Sequence, residues 1–116
     1  MPLIFHITTP EAWKEALEVG AYHGDTLATE GFIHCSTAGQ VARVANARFR
    51  GWADLVLLCI STERLAPDLR YEPAEAGELF PHIYGPLNVD AVVDIVDFPP
   101  GPDGQFVLPK SIPRAP

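Results

Sequence analysis

The stretch Asp54 to Ser61, DLVLLCIS, constrains the fold more than any other part of the chain. Its apolar run has no alternation, so both faces of the extended segment need cover, and the strand belongs at the centre of a sheet with material packed on each side. A chain of 116 residues supplies such cover once. It fits one domain and leaves no room for a second core.

The segments around that strand read as follows. Leu3 to Thr8 alternates, with Leu3, Phe5 and Ile7 on one face and Ile4, His6 and Thr8 on the other. Thr9 is an N-cap with Pro10 at the first helical position, and Ala12, Trp13, Ala16 and Leu17 form an apolar stripe that Gly20 ends. Tyr22 to Gly31 is rich in turn residues, and Phe32 to Cys35 is a short strand. Thr37 and Gln40 have the form of a capping box for a helix that buries Val41, Val44, Ala45 and Phe49 and closes at Gly51. Further strands are predicted at Leu69 to Glu72, at Leu79 to Tyr84 with an interruption at Pro81, and at Ala91 to Phe98. The GPDG turn, Gly101 to Gly104, is expected to fold Gln105 to Leu108 back on the last of these as a hairpin. Six of the twelve prolines lie from Pro99 onward. The domain is therefore expected over residues 1–108, with 109–116 as an extended Pro-rich tail. Two early helices followed mostly by strands give an α+β domain with a largely antiparallel sheet.

Charge and composition exclude several functions. Fifteen Asp and Glu against eight Lys and Arg leave a net charge of −7, which makes RNA or DNA held by bulk charge an unexpected partner. No apolar run reaches the roughly twenty residues a membrane helix needs, and the first nine residues lack the pattern of a signal peptide, so a cytoplasmic protein without a membrane partner is expected. Cys35 and Cys59 read as buried reduced thiols, too few for a cysteine metal site.

Three of the four histidines fall in extended segments. His6 shares a face with Ile4 and Thr8, His34 with Phe32 and Ser36, and His82 with Phe80 and Tyr84, so three strands could line one pocket with imidazoles set among aromatic walls. The plainer alternative is three separate half-buried histidines, each with a satisfied hydrogen bond. His23 sits in a turn and is expected to be exposed. Between Gly31 and Ala53 there is no acid, yet Arg43, Arg48 and Arg50 occur there, a basic island able to meet phosphate or simply to complement a helix C-terminus. Glu72, Glu75 and Glu78 lie close enough in sequence to reach a site containing His82.

Three blocks carry a resemblance: His6 to Thr8 with Trp13, Gly31 to Ser36 (GFIHCS) with Gln40, and Phe80 to Leu87 (FPHIYGPL). They resemble a bacterial family of small uncharacterised proteins, similar in turn to the ADP-ribosyltransferase fold and to the RNA 2′-phosphotransferases within it. The resemblance implies a split, strongly bent antiparallel sheet around a cleft for NAD or a similar small-molecule nucleotide. It implies His6 and His34 on the ribose, Arg48 on phosphate, Thr8, Ser36 and Tyr84 as further cofactor contacts, and Glu72, Glu78 or His82 in the third motif position. The expectation is a nucleotide-binding enzyme of the ADP-ribosyltransferase type with His6, His34, Glu72 and His82 as catalytic residues. Two alternatives accompany it: a non-catalytic metabolite- or peptide-binding module using the same pocket, and a metal site ligated by His6, His34 and His82.

Overall fold

β4, Val56–Ser61, is buried at every position and forms the middle strand of a three-stranded antiparallel sheet in a computed structural model that describes residues 3–74 and 76–112. On one side it pairs with β1, Leu3–Thr8, and on the other with β8, Val92–Asp97. The two faces of this sheet feed two cores. Ile4, Leu58 and Ile60 pack with Trp13, Ala16 and Tyr22, whereas Phe5, Ile7, Leu57 and Cys59 pack with Val41, Ala45, Phe98 and Phe106. That division is the alternation read in β1, and it explains why β4 has no polar face.

Helix α1, Pro10–Val19, lies over the first face, with the Thr9 hydroxyl accepting from Ala12 N and Gly20 closing the helix at φ 98°. Helix α3, Val41–Arg48, lies over the second. Only half of the predicted capping box forms. Gln40 Oε1 accepts from Thr37 N, while the helix proper begins one residue after Gln40. The turn-rich stretch holds two short elements the sequence did not announce: β2, Ala21–Tyr22, and a single helical turn, α2, Leu27–Glu30. β2 pairs with β7, Leu87–Asn88.

A second three-stranded sheet has the order β3, β6, β5, built from Ile33–His34, Leu79–Tyr84 and Asp68–Pro73. Every pairing among the described strands is antiparallel. The expected interruption at Pro81 does not occur, and β6 runs through it as a central strand. The ring sits where it does least harm. Pro81 O accepts from Cys35 N, and β3 ends at His34, where Pro81 has no N–H to return. Gly85 turns the chain out of β6, and a Cβ there would lie 2.8 Å from Pro67 Cβ, so only glycine fits that approach.

Two expectations at the C-terminal side are corrected. The Gly101 to Gly104 turn forms, but Gln105 to Leu108 makes no strand with β8. Asn46 of α3 instead pairs with the backbone of Phe106, its Nδ2 donating to Phe106 O at 2.9 Å and its Oδ1 accepting from Phe106 N at 2.7 Å. The tail does not all lie outside the core either. Ile112 is buried in the second cluster beside Leu108, because the apolar side chains that alternate with the prolines find a place under α3. Residues 113–116 of the expected tail lie outside the described residues.

Candidate active site

Among the described residues the two three-stranded sheets meet at a single bridge. Phe5 and Ser36 exchange both backbone hydrogen bonds at 2.8 Å, and β1 and β3 then part. Phe5 therefore points its N–H and C=O toward β3, and by the alternation of an antiparallel strand Ile7 points the same way. Had the ladder continued, Ile7 would have paired with His34. It does not: the His6 side chain takes that acceptor, with Nδ1–H donating to His34 O. By that alternation the backbone N–H and C=O of Ile7 face the gap, which Ile7 lines.

The gap is the mouth of a cleft of about 760 Å³. His6, Thr8, His34, Ser36, Glu72 and His82 all line it, as does Arg48. Of the nine residues that the resemblance names, Glu78 and Tyr84 stand back from the cleft. The Tyr84 hydroxyl donates to Glu72 Oε1 at 2.5 Å and its ring lies under the Arg70 guanidinium, so it braces a carboxylate.

His6 is buried, and burial holds its pKa below the ordinary histidine value of 6.5. The ring is thus neutral, with its proton on Nδ1, because the carbonyl it faces only accepts. Nε2 lies 2.8 Å from the Tyr22 hydroxyl, which in turn lies 2.9 Å from Thr8 Oγ1. Burial pushes the Tyr22 hydroxyl up to about 12, so this chain of groups carries no charge at neutral pH. With both ring nitrogens committed, His6 is not available to a metal. Among the described residues no group of three His, Cys, Asp or Glu side chains is placed to hold an ion.

His34 and His82 are direct cross-strand partners, and their rings meet edge to face at 5.3 Å. Phe32 stacks on His82 at 4.1 Å and 19° and tilts against His34 at 4.7 Å. Each imidazole has a carboxylate. His82 Nδ1 lies 2.8 Å from Glu72 Oε1, and His34 Nε2 lies 3.1 Å from Glu30 Oε1. The bonds from Tyr84 and then from His82 hold the Glu72 carboxyl below the usual carboxylate range. Glu72 is therefore an anion that fixes the His82 tautomer, and His82 Nε2 has no hydrogen-bond partner among the described residues, the arrangement a general base needs.

The other acids and arginines sort themselves by partner. Glu78 does not reach His82: Arg43 grips it with bonds of 2.9 and 2.8 Å, Gln40 adds a third, and together they hold its carboxyl at about 2. Glu75 lies outside the described residues. Of the basic island, Arg43 is spent on Glu78, Arg50 is exposed, and Arg48 lines the cleft with no partner among the described residues. His23 is exposed on the cleft rim, Trp13 belongs to the core, and Trp52 lies half-exposed in the cleft wall. Cys35 and Cys59 are buried free thiols, and burial raises the pKa of both, that of Cys59 to about 11.

Sequence reading missed Tyr22, Phe32 as a stacking partner, Glu30 and the Ile7 backbone. Tyr22 carried no periodic signal, since its strand is two residues long. The β1 alternation did hold the clue to Ile7, but only the splitting of the sheet gives it meaning.

A family profile described as "Protein of unknown function (DUF952)" matches residues 7–95. No curated protein matches the chain. Among solved structures, the crystal structure of protein CC0527 from Caulobacter crescentus is 37% identical with a TM-score of 0.83, and the match covers 91% of this chain and 94% of that one. The crystal structure of a double mutant of the same protein is similar at 36% identity, with the same score and coverage. The solution NMR structure of CC0527 matches at 38% identity and a TM-score of 0.78, covering 90% of this chain and 91% of that one. No helix among the described residues is long and apolar enough to cross a membrane.

Proposed function

The chain belongs to the DUF952 family, and from that premise we propose that its cleft is a nucleotide-binding active site of the ADP-ribosyltransferase type, acting on NAD or another small molecule that contains ADP-ribose. The observation that carries this reading is the break between β1 and β3, where the neutral His6 plugs the ladder and one hollow is left bordered by Ile7 backbone, His34, His82 and Glu72. Such a hollow offers one donor and one acceptor in a row on a rigid strand edge, suited to a planar amide, and imidazoles beside it suited to ribose hydroxyls.

The chemistry divides among these groups. Glu72 remains charged and offsets positive charge that develops at the ribose carbon when the glycosidic C–N bond breaks and nicotinamide leaves with the bonding pair. His82 Nε2 takes the proton from the water or hydroxyl that forms the new C–O bond, with Glu72 stabilising the resulting imidazolium. Arg48 offsets the diphosphate charge. Tyr84 keeps the Glu72 carboxylate in place.

Calorimetric titration with NAD and ADP-ribose tests the reading, with nicotinamide release followed in parallel. Saturable binding of both and a measurable release rate are expected. No heat with either ligand at millimolar concentration removes the proposal, and binding without any release turns it into the non-catalytic binding module.

A further inference from the structure

The cleft is unevenly charged. Arg48 is the only Lys or Arg among its described lining residues, and the wall it shares with Val44, Phe49, Trp52 and Leu55 contains no acid. The carboxylates, Glu15, Asp25 and Glu72, come from α1, from the segment after β2 and from β5. Asp25 acts electrostatically on His6 and Tyr22, and Glu72 binds His82, so both acids belong to the histidine end.

Trp52 also lines the cleft and is hard to explain as packing. It is 49% exposed in a wall that leads into the cleft, while the other tryptophan, Trp13, is 8% exposed in the core. The indole is nevertheless held. Phe49 meets it edge to face at 5.7 Å, and Trp52 N donates to Phe49 O at 3.1 Å, closing the turn that ends α3. A rigid, half-open aromatic plane and, four residues before it in the chain, an arginine with no partner among the described residues bring a stacking surface and an anion contact to the lining of one cleft.

We propose that Trp52 and Arg48 form a subsite for the base and adjoining phosphate of a purine nucleotide, so that the ligand lies with its phosphorylated nucleoside end on α3 and its other end at His34 and His82. This rests on the nucleotide reading above and adds the direction of the ligand. It also makes a fragment prediction. A mononucleotide carries everything this subsite uses, so AMP binds there without help from the histidines.

The test is titration of AMP, ADP-ribose and ribose 5-phosphate into the wild type, Trp52→Ala, Arg48→Ala and His82→Ala, with circular dichroism confirming that each variant is folded. Trp52→Ala is expected to weaken AMP and ADP-ribose by about tenfold, in line with the loss of one base–aromatic stack, and to leave ribose 5-phosphate within about twofold. Arg48→Ala is expected to weaken all three, and His82→Ala to leave AMP nearly unchanged. In the wild type, AMP should also quench the exposed tryptophan emission. ADP-ribose binding that is unchanged in Trp52→Ala overturns the subsite while the proposed function stands. AMP binding lost in Trp52→Ala in a protein that does not release nicotinamide supports the subsite while the catalytic reading falls. No AMP binding to the wild type overturns it outright.

Discussion

The two half-sheets do different work. In β8, β4 and β1 the middle strand is buried on both faces, and its side chains are aliphatic or thiol until Ser61. In β3, β6 and β5 the middle strand alternates, with Pro81 and Ile83 buried and His82 and Tyr84 turned to Glu72 on the neighbouring strand. The first half stabilises by excluding water from a continuous apolar slab. The second is stabilised on one face only and commits the other to polar groups that orient one another. The lesson is that the linked His82, Glu72 and Tyr84 side chains sit on the sheet that can spare a face, while the sheet that cannot spare one is given over to the core.

Substitutions can test that division. The largest effect is expected from His82→Ala, which should cut nicotinamide release by about 10²–10⁴-fold, the usual contribution of a positioned general base, with little change in thermal midpoint. A collapse of stability with activity per folded molecule retained would make the second half a scaffold too. Leu57→Ala should act the opposite way: the side chain is fully buried, and its loss should cost about 2–5 kcal/mol in a urea titration while leaving ligand affinity per folded molecule unchanged.

His6→Ala probes the seam. It leaves His34 O and the Tyr22 hydroxyl without their buried partner, at a cost of about 1–3 kcal/mol. It also removes a pH dependence of known sign. Because burial lowers the His6 pKa below 6.5, its contribution to stability is fully present above that pH. Below it the unfolded chain binds a proton that the folded chain refuses, so stability falls by up to about 1.4 kcal/mol per pH unit until the folded value is reached. Urea titrations on either side of the ordinary histidine value should show that slope in the wild type and a shallower one in His6→Ala. Arg43→Ala should give the smallest change, since the ion pair with Glu78 is largely exposed and screened. Whatever stability Glu78 contributes is present above its ordinary 4.5 and disappears as pH falls toward 2, so thermal scans of wild type and variant should converge there.

The sequence disclosed those parts of the molecule in which one residue's neighbours decide its structure. The α1 caps at Thr9 and Gly20, the alternation of β1 and the burial of β4 are local or periodic, and they stand as read. The facing of His6, His34 and His82 followed from the same alternation. What was hidden depends on partners far along the chain. Glu78 and Arg43 are 35 positions apart, and nothing near either one says that they cancel. Asn46 and Phe106 are 60 apart, and their pairing replaces the hairpin that the GPDG turn invited. Pro81 misled for a related reason: its effect on a strand depends on which side the missing N–H faces, and that is fixed only when β3 arrives.

That Asn46 side chain has a wider consequence. Its amide offers the backbone of Phe106 one donor and one acceptor, as a neighbouring strand would, and so ties residues 106–112 to the helix whose last residue is Arg48. Phe106, Leu108 and Ile112 then buttress α3 from outside, where no sheet could reach. Residues 106–112 thus serve as a backrest for the wall that carries Arg48, and a cut between them and α3 would be felt in the cleft without any residue there being touched.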